Sequence, residues 1–214
     1  MIAAPLSSFP DIAQQLRGDE IHVWCLDYCH AHGRTPLHET LAAYLRINVS
    51  EVSLVDGPHG RPHLAPWLDQ SIAFNWSHSG DHALIAVARG ITPGVDVERL
   101  RGRPRALAIA ERFFSLEESA ALAALPSDQL ALGFLELWTA KEAVTKAIGR
   151  GLAFGLKRLS IGITCDRLVL HRLDDDDANA WQLRRLLPAP GLVAALAWRG
   201  EPRRIVLRTL ARSA

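Results

Sequence analysis

Apolar positions recur along the chain with two different periods. In "EIHVWCLDY", Ile21, Val23 and Cys25 alternate with His22 and Trp24, the period-two signature of a strand with one face in a core. In "TPLHETLAAYLR", Leu37, Leu41 and Leu45 share one helical face behind Thr35, a cap, and Pro36, which suits a first turn; a helix over about residues 36–46 is predicted. "EVSLV" and "SIAFNW" predict strands separated by the turn-rich "DGPHGRPHLAPW", and "HALIAVA" and "TPGVDVERL" supply two more. From Pro104 onward the pattern turns helical. "SLEES" has the capping-box spacing at Ser115 and Glu118, and "LGFLELWTAKEAVTKAIG" predicts a longer helix with Leu137, Val144 and Ile148 as apolar positions and Gly149 as its stop. "RLSIGIT", "RLVLHRL", "WQLRRLL", "GLVAALAW" and "RIVLRTL" read as short strands or hairpins. "DDDDAN", Asp174 to Asn179, is a solvated turn among them; it lacks the alternating ligands and glycine of a calcium loop.

This order of elements predicts a mixed α/β (α+β) fold built as two α/β halves, residues 1–92 and 93–214. No apolar run approaches the ~20 residues of a membrane-spanning helix, and "MIAAPLSSFPDIAQQLRGDE" carries neither a basic leader nor a long apolar stretch, so a cytoplasmic, non-membrane protein is expected. Cys25, Cys29 and Cys165 are odd in number and lack paired zinc spacing, which fits reduced thiols. A formal net charge of +1 argues against a nucleic-acid binder. Two local arginine clusters remain: Arg99, Arg101, Arg103 and Arg105, then Arg203, Arg204 and Arg208. They read either as solvated surface or as a docking face for an acidic partner.

Candidate chemistry concentrates in three places. Asp96 and Glu98 are two apart in a strand and leave the same face, with Val95 and Val97 turned to the core. Such a pair repels itself unless arginines or a cation intervene, so a salt-bridged surface and a metal site both fit. Glu142 and Lys146 are four apart on a helix, which suits an ion pair. Together, Asp96, Glu98 and Glu142 offer carboxylates to a hard divalent cation and Lys146 a charge to a phosphate, a set that suits magnesium better than zinc. The third place is "NWSHSGDHALIAVA". Ser77, His78 and Asp81 suggest a hydrolase, but a triad is assembled in space and no Gly-x-Ser-x-Gly elbow surrounds Ser77. His30 and His32, and His59 and His63, are paired closely but lack further ligands, and read as loop histidines.

Four blocks, in order, resemble a 4′-phosphopantetheinyl transferase of the surfactin type. "GRPHL" resembles the family's Gly-Lys-Pro turn with Arg61 in the lysine's place; "FNWSHSGDHALIAVA" resembles its Phe-Asn-x-Ser-His block and "GVDVERL" its Gly-x-Asp-x-Glu block. "FFSLEES" followed by "WTAKEAVTKAIGRGL" resembles the helical block ending in Trp-x-x-Lys-Glu-x-x-x-Lys. The resemblance implies two similar halves related by a pseudo-twofold with coenzyme A between them. It also implies transfer of phosphopantetheine to a serine of an apo carrier protein, acyl or peptidyl, with an acidic helix, and release of 3′,5′-ADP. Such carriers serve fatty-acid, polyketide and nonribosomal peptide synthesis.

Carried over, Asp96, Glu98 and Glu142 would hold magnesium, Lys146 the pyrophosphate, and Ser77, His78 and Arg61, with Arg34, the nucleotide end of coenzyme A. Glu142 would take the serine's proton. Glu118 matches a family glutamate, although its capping box is explanation enough, and Asp81 supports a turn. The segment before Arg34 contains no lysine, where relatives often use basic residues for the 3′-phosphate. Two other readings stay open: a module that binds coenzyme A without chemistry, and the holo-acyl-carrier-protein synthases, about half this length and trimeric. Tandem halves, Trp138 and the Ser77-His78 block favour the two-halved form, expected to be a monomer.

Overall fold

In the computed structural model, which describes residues 9–164 and 167–210, one arrangement of elements occurs twice. A short helix α1 (Phe9–Gln14), which the hydrophobic pattern does not announce, comes first. The first copy consists of strand β1 (Glu20–Asp27), helix α2 (Thr35–Leu45), a ribbon of β2 (Leu54–Asp56) and β3 (Pro62–Leu64), and a hairpin of β4 (Ile72–Ser79) and β5 (His82–Arg89). The second has strand β6 (Gly94–Arg99), helices α3 (Ala106–Phe113), α4 (Leu116–Ala123) and α5 (Ser127–Ile148), a ribbon of β7 (Leu159–Ile163) and β8 (Leu168–Leu173), and a hairpin of β9 (Trp181–Leu186) and β10 (Leu192–Arg199). The sheet orders correspond: β1-β5-β4 in one half and β6-β10-β9 in the other, antiparallel throughout. The last strand, β11 (Arg204–Leu210), crosses back and pairs parallel with β1. The expected mixed α/β fold with two similar halves is the fold observed.

Three cores define the layering. Leu37 and Leu41 of α2 pack with Trp24, Phe74, Ile85 and Val87 on one face of the first sheet. The other face presents Ile21, Val23, Leu84 and Ala86 to Val95, Val97, Leu196 and Trp198 of the second sheet. That sheet's far face packs on Leu137, Ala140 and Val144 of α5 through Val193, Ala195 and Ala197. Both sheets are therefore covered on both sides, which explains the unbroken apolar run in β5 and β10. The alternating strand β1 is buried on its second face too: His22 and Trp24 are each 2% exposed beneath α2.

Turns and charged clusters serve this frame. In the acidic turn Asp176 accepts from Arg199 and Trp181, Asp174 from Arg172, and Asp177 caps the next short turn. Arg204 pairs with Glu20 and Arg203 donates to the carbonyl of Arg89, so two members of the second arginine cluster hold β11 to the first half. Cys25 is buried and Cys29 exposed, both as free thiols, whereas Cys165 lies outside the described residues. No helix among the described residues is long and apolar enough to cross a membrane.

Beneath α2 the buried polar side chains form a chain. The Trp24 indole N–H donates to the Tyr44 hydroxyl at 2.6 Å, that hydroxyl lies 2.8 Å from His22 Nδ1, and His22 Nε2 lies 3.4 Å from Glu20. An indole can only donate, so the hydroxyl proton is free to point at Nδ1 and the imidazole proton sits on Nε2. Burial holds the His22 pKa below its ordinary 6.5. The neutral form is thus the folded form, and its stabilisation is complete above pH 6.5 and lost as the pH falls towards the lower folded value. Urea unfolding should show this loss, and Tyr44→Phe should cost about 1–3 kcal/mol by stranding the Trp24 donor and the His22 Nδ1 acceptor. An unchanged midpoint in Tyr44→Phe would mean that the chain of bonds contributes nothing.

Candidate active site

Where the halves meet, β4 and β6 belong to different sheets and are joined by side chains. Asn75 Oδ1 accepts from the Val95 N–H at 2.9 Å, Ser77 donates to Asp96 Oδ1 at 2.7 Å, and Ser79 donates to Glu98 Oε2 at 2.9 Å. Three alternate residues of β4 therefore serve three positions of β6, as a strand's period of two requires. The same period turns Ser77 inward and leaves His78 exposed. Ser77 spends its hydroxyl proton on Asp96, while the His78 ring stacks on Tyr28 with centroids 4.7 Å apart. No serine–histidine couple forms, and the hydrolase reading fails on geometry.

From the other side comes α5. Gly94 makes room for it: a Cβ there would lie 2.0 Å from the Ala143 carbonyl and 2.4 Å from the Ala147 nitrogen. This is the physical need for glycine ahead of the acidic strand. The close approach delivers Lys146 Nζ to Asp96 Oδ1 at 2.7 Å, with the Val95 carbonyl at 3.3 Å. The sequence spacing suggested a Glu142–Lys146 pair; the structure gives the lysine to Asp96 instead. Glu142 is buried, and its carboxyl is pushed up to about 7 by burial and by Asp96, partly offset by Lys146, with Glu98 adding a smaller push.

Two oxygens stand out. Asp96 Oδ2 and Glu142 Oε1 are buried without a hydrogen-bond partner. Buried carboxylate oxygens are ordinarily satisfied, so a pair of orphans on facing elements marks a position for a cation or a donor. Glu98 differs, being tied to Ser79 and to Arg103 Nη2 at 2.8 Å. Among the described residues no three His, Cys, Asp or Glu side chains are grouped so as to hold a metal ion by themselves. Two carboxylates nevertheless fit magnesium, which takes one or two from the protein and completes its shell with water and substrate phosphate.

The remaining expected residues are placed as follows. Arg61 lies inside, and with Gly60, Asn75, Trp76, Lys146 and Gly149 it lines a cavity of about 180 Å³. Arg34 precedes α2, is exposed, and sits 3.5 Å from Asp56. Asp81 is exposed, 3.3 Å from Arg99, while its carbonyl receives the Tyr28 N–H. Glu118 is 4% exposed and fully employed: it closes the capping box with Ser115, accepts from the Ile161 N–H at 2.8 Å and pairs with Lys141 at 2.8 Å. Lys141, also wholly buried, donates to the carbonyls of Leu156 and Leu159. Adjacent on α5, Lys141 and Glu142 thus point to different tasks, one fastening α4 and β7 and the other facing β6. Trp138 stacks on Phe134 and lies tilted to Phe114 at the edge of the core.

Residue-by-residue reading of the sequence missed several neighbours. His30, taken as a loop histidine, stands edge-on to His78 with ring centroids 5.0 Å apart, and Trp76 flanks it at 5.4 Å. The His78 pKa is lowered by partial burial, His30 and Lys146, against Asp96. Ser79 and Asn75 had a signal in the period-two spacing from Ser77. A larger cavity, about 450 Å³ and lined by Ile91, Ile148, Arg150, Asp174 and Trp181, contains none of the candidate carboxylates.

Paired carboxylates on a strand, a lysine-bearing helix across from them and a cavity between like halves are the kinds of group that phosphate chemistry with a divalent cation uses. A family model described as the 4′-phosphopantetheinyl transferase superfamily matches residues 92–197. The 4′-phosphopantetheinyl transferase HetI of Nostoc sp. is 33% identical over 203 residues, covering 92% of this chain and 84% of the relative. A putative 4′-phosphopantetheinyl transferase of Synechocystis sp. is 34% identical over 152 residues, covering 70% of this chain and 61% of the relative. A holo-(acyl-carrier-protein) synthase of Bacillus anthracis, solved in complex with CoA (3′,5′-ADP), is 15% identical with a TM-score of 0.40, over 51% of this chain and 96% of that one. The chain belongs to the 4′-phosphopantetheinyl transferase superfamily.

The raised Glu142 pKa makes a testable statement about the bare site. Because the folded value lies above the ordinary 4.5, the folded protein holds an extra proton between about 4.5 and 7, and stability falls as the pH rises through that window. Unfolding of chelator-treated protein should show this decline, and Glu142→Gln should remove it. Parallel pH profiles for the two proteins would show that Glu142 titrates as it does in the unfolded chain.

Proposed function

We propose that this protein transfers the 4′-phosphopantetheine arm of coenzyme A to a serine hydroxyl of an apo carrier protein, releasing 3′,5′-ADP. The observation that carries the reading is the pair of unpartnered buried oxygens, Asp96 Oδ2 and Glu142 Oε1, beside Lys146. The serine oxygen forms a bond to the phosphorus that bears the pantetheine, and the bond from that phosphorus to the oxygen of the ADP group breaks. Such transfers rest on positioning and charge neutralisation.

Magnesium would be held by Asp96 and Glu142, with Glu98 on the same strand face, and when bound it would neutralise the pyrophosphate. Lys146, already between β6 and α5, offers its ammonium to the same oxygens. Glu142, which would be ionised with magnesium bound, would accept the serine proton directly or through a water. Ser77 orients Asp96 by its hydrogen bond. His78, exposed between Tyr28, His30 and Trp76, presents an imidazole edge to the nucleotide end of coenzyme A, and exposed Arg34, at the start of α2, offers its charge to the same end. On this reading residues 1–92 supply the coenzyme contacts and residues 93–214 the carboxylates and the lysine. Exposed Arg101 and Arg105, next to the Arg103–Glu98 pair, suit an acidic carrier helix. The protein acts as a monomer, since both halves of the site come from one chain.

Incubation of an apo carrier protein with coenzyme A and magnesium should add a phosphopantetheine mass to the carrier, read by mass spectrometry across acyl and peptidyl carriers. Asp96→Ala and Glu142→Ala should each lower turnover by at least about 100-fold, the scale of a lost charge-stabilising group. Near-normal turnover in either, with magnesium present, would remove the carboxylates from the mechanism. His78→Ala should raise KM for coenzyme A more than it lowers kcat; the reverse split would make His78 a participant in the chemical step.

A further inference from the structure

Arg61 is 9% exposed, and its guanidinium is enclosed by carbonyl oxygens. Nη1 donates to the Lys146 carbonyl and, at 3.3 Å, to that of Ala147; Nη2 donates to Phe74 at 2.9 Å and to Pro93 at 3.0 Å. The first two acceptors belong to the last turn of α5, where a helix leaves its carbonyls short of donors and carries partial negative charge. The other two lie on β4 and on the segment leading into β6. One side chain therefore ties together three segments from both halves, directly beneath the residue that bears the Lys146 ammonium. Gly149, at a φ of 85° that favours glycine, ends α5 abruptly beside Arg61, and a Cβ there would meet Arg61 Cδ only at ordinary contact distance, 3.7 Å.

A phosphate ligand would leave at least one terminal nitrogen turned to the cavity. Here both terminal nitrogens are engaged by backbone, and only Nε, the nitrogen nearest the chain, is buried without a partner. No acidic side chain among the described residues pairs with Arg61. Burial depresses its pKa to about 10, consistent with a guanidinium withdrawn from water. Lysine cannot reproduce the contact, because one ammonium nitrogen does not fork across carbonyls held on three segments.

We propose that Arg61 is a positioning residue: it clamps the last turn of α5, and with it Lys146 and Glu142, onto the first half, and does not itself bind coenzyme A. This rests on the transfer reading above and departs from the sequence resemblance, which put Arg61 on the nucleotide. In Arg61→Lys, kcat should fall by about 10- to 100-fold, the size of effect that follows from a displacement of about 1 Å in a reacting group. KM and the calorimetric Kd for coenzyme A should change by less than about threefold. A weakening of coenzyme A binding by about tenfold or more with kcat preserved would make Arg61 a coenzyme ligand and overturn the proposal. A lowered Tm with unchanged kcat would make it merely structural, and would overturn it equally.

Hydrogen exchange supplies a readout that needs no turnover. Amides of Ala147 to Arg150 should exchange faster in Arg61→Lys than in the unaltered protein, and equal rates would contradict the clamp. That comparison holds even if the unaltered protein modifies no carrier, an outcome that would fall on the transfer reading alone.

Discussion

The contact between Asp96 and Lys146, 2.7 Å long and largely shielded from water, is the constraint around which the halves are arranged. Desolvating two charges is costly, and a buried pair is tolerated only when geometry and additional hydrogen bonds compensate. The compensation here comes from both halves. Ser77 of β4 supplies a second donor to the same carboxylate oxygen, and the Val95 carbonyl receives the lysine. Gly94 lets α5 approach β6 closely enough for the lysine to reach, and the guanidinium of Arg61 holds the end of α5 against the first half. Remove any one of these and the pair loses either a partner or its alignment.

What the arrangement leaves undone is as informative as what it completes. Asp96 has one oxygen occupied and one bare, and Glu142 is held where its own ionisation is disfavoured. A fold selected only for stability would fill such a position with apolar side chains, which commonly do as well or better. The site is instead kept incompletely satisfied, with a carboxyl raised by burial and an ammonium beside it. These are properties that phosphoryl transfer uses and that a structural core does not.

Much of this was legible in the residues. The acidic pair on one strand face, the lysine and glutamate on one helix and the alternation of β4 all follow from side-chain periodicity, which is local. What was not legible depends on which elements meet. Glu142 and Lys146 looked like partners because helical spacing makes them neighbours, but β6 offered the lysine a buried carboxylate. The alternation of β1 placed one of its faces in a core, but that α2 covers His22 and Trp24 on the other depends on Tyr44, some twenty residues away. Glu118 could not be separated from its capping box until Lys141 arrived from α5, and nothing local to Arg61 shows that four carbonyls converge on it. Each miss concerns a charged or polar side chain whose partner is distant in sequence.

The account is tested most directly by counting protons at neutral pH. With a carboxyl near 7, Glu142 is about half protonated at pH 7, and binding of magnesium with coenzyme A would require it to ionise. Calorimetry in buffers of different ionisation enthalpy should therefore find about half a proton more released by the unaltered protein than by Glu142→Gln. Equal release from the two proteins would contradict the claim that the orphaned carboxylate oxygens form the cation and phosphate site.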